Sequence, residues 1–270
     1  MGHQNKRKAE KFQKTDGITN RHKLTRWQHV LPKKSIERFV GNDGCVAVQF
    51  IKEPINDRLK RLQPKDPLFC ADRVWDQHSE DNMKNSYEDP FQELAERIIL
   101  GNVQALDPND SLTVTLFWGL WRARFQARLD PPEDKPVFGV TGIESKDTRE
   151  EFEKKHVACI NPDKTIPGRN IARMDIQKFI DWTLINHNGW SWNIARTTES
   201  EFLVSDGPNP LNTMDTYRPI YVPISPSICL MANNRSQNGT IYFKKGEVLF
   251  FNKTLLTIAD KYIFCKNTVF

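Results

Sequence analysis

"DSLTVTLFWGLWRARFQARL", residues 110–129, decides how the chain is organised. Its first half is apolar nearly all the way round a helix, and its second half carries Arg122, Arg124 and Arg128. A helix apolar on every side is buried on every side, so this one is expected in the middle of a bundle. Arg124 and Arg128 share a helix face, and Arg122 points elsewhere. An arginine beside a buried segment needs an anionic partner. That partner is a structural carboxylate or a bound phosphate.

Outward from this helix the pattern is helical on both sides. Residues 89–100, "DPFQELAERIIL", place Phe91, Leu94, Ile98 and Ile99 on one stripe, with Asp89 as the expected cap and Pro90 in the first turn. Residues 172–186 repeat the pattern with Ile176, Phe179, Ile180 and Leu184. The polar stretch 71–85, "ADRVWDQHSEDNMKN", reads as a connector, and "SKDTREEFEKKH" (145–156) as a charged helix. After Gly189 the character changes. "WSWNIAR", "EFLVSD", "RPIYVPIS", "SICLMANN" and "TIYFKK" are short, β-branched or aromatic, and separated by turn residues. Residues 246–261 read as a helix and 262–270 as a closing strand. Near the other end, Pro32 starts a short helix with Ile36, Phe39 and Val40, and a strand is expected over 45–52. The expected fold class is α+β, with a mostly helical N-terminal part packed on a C-terminal antiparallel sheet. The expected organisation is a basic flexible arm at 1–25 and one domain over 26–270, helical over 85–187 and sheet-rich over 189–270.

Composition narrows the function classes. Residues 1–40 hold eleven Lys and Arg against three Asp and Glu, and the remainder holds 28 against 31. The basic excess therefore belongs to the N-terminal segment. Such a segment binds nucleic acid through phosphates or serves as a solvated tail. Five widely spaced cysteines with no C-x-x-C argue against a disulfide framework and a cysteine zinc site. The start lacks an apolar h-region, and Lys6 stands where a myristoylation motif needs Ser or Thr. The most apolar run, residues 114–121, is too short to span a bilayer. No phosphate-cradling glycine loop, H-E-x-x-H or G-x-S-x-G occurs, and no two of the six histidines stand at i, i+4. A cytoplasmic protein without cofactor, metal or membrane partner is expected.

Three polar residues stand out. His29, in "WQHVLP", is either a general acid or base or a packing residue at a helix start. Asp206, in "FLVSDGP", either bonds its own turn or presents a carboxylate at a strand edge to orient a histidine. Arg122 is the candidate phosphate holder. Arg26, Lys33 and Lys34 are candidate nucleic-acid contacts. Trp190 and Trp192 alternate onto one strand face, where they stack on bases or pack in the core.

In order along the chain, "QHVLPKKSIERF", "EDPFQELAERI", "LFWGLWRARFQ", "WSWNIARTTESEFLVSDGPNP", "VPISPSICL" and "FFNKTLLTIADKYIF" form a series. The series resembles the domain-of-unknown-function family 4238 of bacterial and phage proteins. It covers the chain from about residue 27, with His29-x-x-Pro32 and Ser205-Asp206-x-Pro208 as its most specific parts. The family supplies no settled function, but its motifs fall on His29, Arg122, Asp206 and Asn252. The expectation is a metal-independent nuclease or nucleotide-acting hydrolase, a toxin or antiviral defence effector, built on those four residues. The alternative is a non-enzymatic nucleic-acid- or protein-binding protein.

Overall fold

The computed structural model describes residues 23–54, 59–140, 145–187, 189–208, 220–233 and 238–267. The basic arm expected at 1–25 lies outside these up to residue 22. Anchored structure begins earlier than residue 26: Leu24 is buried, and the Thr25 N–H donates to Gln77 Oε1 at 2.7 Å.

The described chain is α+β. In order it runs β1 (Trp27–His29), α1 (Lys33–Glu37), β2 (Val46–Phe50), β3 (Leu59–Leu62), β4 (Cys70–Asp72), α2 (Gln77–Met83), α3 (Asp89–Ile99) and α4 (Pro108–Leu129). It continues with β5 (Lys135–Pro136), α5 (Arg149–Lys154), β6 (Thr165–Ile166), α6 (Gly168–His187), β7 (Ser191–Arg196), β8 (Val204–Ser205), β9 (Tyr221–Ser225), β10 (Ile228–Asn233), β11 (Thr240–Tyr242), α7 (Lys245–Ile258) and β12 (Tyr262–Cys265).

The stretch taken for a connector is helical. Asp76 caps α2, accepting from the Ser79 N–H at 2.8 Å. The helix then passes through a π-turn, Lys84–Glu88, straight into α3. Its hydrophobic period is hard to read because α2 buries only Ser79 and Met83. Asp89 is therefore not a cap but lies inside the helical run, its N–H donating to Lys84 O. The widened turn places Pro90, which has no N–H and whose ring crowds the turn before it, inside the run without a break. The long helix likewise starts earlier than expected: Asp107 caps α4, accepting from the Asp110 N–H at 2.7 Å.

α4 packs along α6 so closely that a Cβ on Gly119 would lie 3.1 Å from the Thr183 side chain. Trp118 and Trp121 of α4, with Trp75 and Trp192, are among the largest buried side chains, which confirms a central helix. The helical part lies against two sheets rather than one. The first, ordered β11-β7-β10-β9, is built from residues after 189, and its edge strand β11 runs parallel to β7. The second, β3-β2-β12-β8, is antiparallel and joins the N-terminal strands to the end of the chain. Local pattern cannot show such long-range pairing. A two-stranded ribbon, β1-β4, closes one side of the core, and it is there that His29 sits.

Candidate active site at the His29 strand

His29 and Cys70 are directly opposed across the antiparallel β1-β4 ribbon. The ribbon is held by Gln28, whose side chain donates to Trp75 O at 2.8 Å and accepts from the Trp75 N–H at 3.1 Å. A carbonyl only accepts, so the 3.1 Å contact of His29 Nε2 with Pro64 O puts the ring proton on Nε2. Nδ1 is then the basic nitrogen. Burial lowers the imidazole pKa, partly offset by the Pro64 bond and Glu80, so the ring is neutral at pH 7.

Behind the ribbon lies a buried ion cluster. Arg124 is 1% exposed; its Nη1 lies 2.6 Å from Glu88 Oε1 and its Nη2 3.4 Å from Glu80 Oε2. Nη1 also donates to the His29 carbonyl at 3.4 Å, and the guanidinium sits 5.2 Å over the Trp75 ring. Trp75 Nε1 donates to Glu80 Oε2 at 2.6 Å. Burial opposes the Arg124 charge, and Glu88 and Glu80 outweigh it, so the pKa rises. Burial pushes the Glu88 carboxyl above its usual range against the pull of Arg124. The π-turn delivers Glu88 to this position.

One turn beyond Arg124, the charge of Arg128 acts on the Tyr262 side chain, whose hydroxyl donates to Leu68 O at 3.3 Å. Arg128 Nη1 is buried without a partner. Burial pushes the Cys70 thiol up to about 12, so it is no thiolate at neutral pH. Tyr262 is pushed up for the same reason. His29, Cys70, Glu88, Arg124 and Tyr262 all have displaced titrations, a feature that functional sites and structural ion-pair networks share.

The other expected site residues are placed elsewhere. Asp206 accepts the N–H groups of Asp260, Lys261 and Tyr262 at 3.0, 2.7 and 3.4 Å, which fixes the turn from α7 into β12. Burial raises its pKa, and those N–H groups oppose the rise. Asn252 accepts from the Leu203 N–H at 3.1 Å and donates to Glu201 O at 2.8 Å, stitching α7 to the chain before β8. Both serve backbone rather than a reacting group. Arg122 lies over the rings of Trp118 and Phe179, at 5.6 and 5.2 Å. Two helical residues turn the side chain by about 200°, so Arg122 lies on a different face from Arg124. No hydrogen bond or ion pair joins His29, Arg122, Asp206 and Asn252 to one another among the described residues.

The expected nucleic-acid contacts change too. Arg26 pairs with Asp72, Lys33 with Glu37 and Lys34 with Glu96. These exposed pairs contribute little stability, but they neutralise the basic run. Trp192 is 0% exposed, its Nε1 donating to Thr115 at 2.9 Å, so it is core and presents no face to a base. Trp190 precedes the strand and lies 3.9 Å from the His187 ring.

Sequence reasoning missed Glu80, Glu88 and Tyr262, and among the arginines it favoured Arg122 over Arg124 and Arg128. The i, i+4 spacing of Arg124 and Arg128 was the available signal. Glu80 and Glu88 were hidden because their helix read as a connector. Among the described residues no group of three or more His, Cys, Asp or Glu is placed to hold a metal ion, and no helix is long and apolar enough to cross a membrane. No family pattern, curated protein or solved structure matches the chain.

Proposed function

We propose that the chain is a hydrolase acting on the phosphates of nucleic acid or nucleotides, with His29 as its acid–base group. One observation carries the reading. A histidine neutral at pH 7, its proton held on Nε2 by Pro64, stands across the ribbon from Cys70, whose thiol feels the charge of Arg128, an arginine with a buried Nη1 that finds no hydrogen bond among the described residues. Nδ1 takes the proton of the attacking water or hydroxyl. Arg128 faces the phosphoryl charge. Arg124, fixed by Glu80 and Glu88, is a positioning residue that holds the His29 backbone. The His29-x-x-Pro32 motif is also the first of the ordered series resembling family 4238.

The test is turnover of labelled RNA, labelled DNA and nucleoside triphosphates, with and without EDTA. Turnover is expected to persist in EDTA, to vanish in His29→Ala and to fall on the acid side as His29 protonates. No turnover of any substrate, or equal turnover in a folded His29→Ala protein, overturns the reading.

A second reading, a binding protein without catalysis, draws on Asp206 and Asn252 serving backbone alone. It requires His29→Ala to lower thermal stability and deletion of residues 1–25 to abolish nucleic-acid binding.

A further inference from the structure

The opposite side of α4 holds a cluster that the His29 site does not use. Among the described residues, Ser111 Oγ, Trp118 Nε1 and both ring nitrogens of His187 are buried without hydrogen-bond partners. His187 is 8% exposed and Ser111 4%. Three indoles surround the imidazole, with centroids at 5.9 Å for Trp118, 5.6 Å for Trp182 and 3.9 Å for Trp190. Orphaned polar atoms destabilise a fold, so stability does not account for this arrangement. Beside it opens a cavity of about 370 Å³, lined by Ser111, Thr115, His187, Trp190, Asn109 and Asn238 among others.

We propose that this cavity binds an uncharged nucleobase or nucleoside, with Trp190 turning off His187 to stack on the base while His187 and Ser111 bond its edge. Three observations point to that class. The volume lies within the range of small-molecule sites. Among the described residues no Asp, Glu, Lys or Arg lines the cavity, so none of them offers a charged ligand a counter-ion. Burial and the Arg122 charge outweigh the opposing pull of the Asn186 backbone and keep His187 neutral, which leaves one donor and one acceptor on its ring, the pairing a base edge presents. The inference stands apart from the His29 reading.

The experiment titrates adenosine, guanosine, cytidine and uridine into the full chain, following tryptophan fluorescence and the melting midpoint. At least one nucleoside is expected to bind saturably, quench the fluorescence and raise the midpoint. Losing one buried hydrogen bond is a factor of about 10 in affinity, and that weakening is expected in His187→Phe and separately in Ser111→Ala. Absence of binding by all four nucleosides overturns the proposal. So does unchanged affinity in both variants, tighter binding of the nucleoside monophosphates, or binding of glucose in their place. The two sites fail separately, because nucleoside binding is read without turnover and turnover is read in the His187→Phe protein.

Discussion

The two sides of α4 handle buried polarity in opposite ways. On one, the buried charge of Arg124 is answered by two carboxylates, a carbonyl and an indole face, while its Nε and Arg128 Nη1 find no hydrogen bond among the described residues. On the other, Ser111, Trp118 and His187 are buried and unanswered. A matched buried charge is architecture, because removing any one part strands the rest. An unmatched polar group beside a cavity is a place for something that the chain alone does not supply. The same helix thus fastens the His29 ribbon with one face and opens a site with the other.

The largest expected effect tests the matched side. Arg124→Met strands Glu80 and Glu88 and is expected to destabilise by about 3–5 kcal/mol, read by urea denaturation. Adding Glu80→Gln and Glu88→Gln to that variant is expected to recover much of the loss. A loss below about 1 kcal/mol in the single variant would show that the cluster is not matched as described. Asp206→Ala orphans three backbone N–H groups and is expected to lower stability by about 2 kcal/mol or more. If it instead abolished hydrolysis in a protein of unchanged melting midpoint, Asp206 would belong to the reaction after all.

The unmatched side carries the opposite sign. His187→Phe replaces two orphaned nitrogens by carbon of similar shape and is expected to stabilise the ligand-free protein by about 1 kcal/mol. Destabilisation of that size would mean that water or a hidden partner already satisfies the ring. The pH dependence follows from the same groups. His29 and His187 both titrate below the ordinary histidine value in the folded state. Below about pH 6.5 the unfolded chain therefore binds protons that the folded chain refuses, so stability falls as pH falls. A melting series from pH 7.5 to about pH 5 checks the slope, which is expected to flatten in His187→Phe. The smallest effect belongs to the rim: Lys34→Ala removes one exposed ion pair and is expected to change stability by less than about 0.5 kcal/mol.

The elements legible beforehand were those whose burial repeats at short range. The stripes at Phe91, Leu94 and Ile98, and at Ile176 and Ile180, are buried as expected. The all-round apolar half of α4 is central, and the strands after Gly189 form. α2 was missed because Asp76 and its cap are common loop residues and its buried side is short. The second sheet was missed because β2 and β12 lie more than two hundred residues apart, and nothing in either strand names its partner. At the site, His29 was visible as an unusual histidine. Its setting was not, because it depends on Pro64, Glu80 and Arg124 arriving from three other segments.

The sequence by itself determined the α+β class, the central helix and the short list of polar residues, since amphipathic period and residue chemistry are local properties. Tertiary structure alone decided which arginine is buried, which aspartate serves only backbone, and which histidine keeps two nitrogens without partners. Those outcomes are set by what stands within about 3 Å of a side chain, and that distance is measured across the fold rather than along the chain.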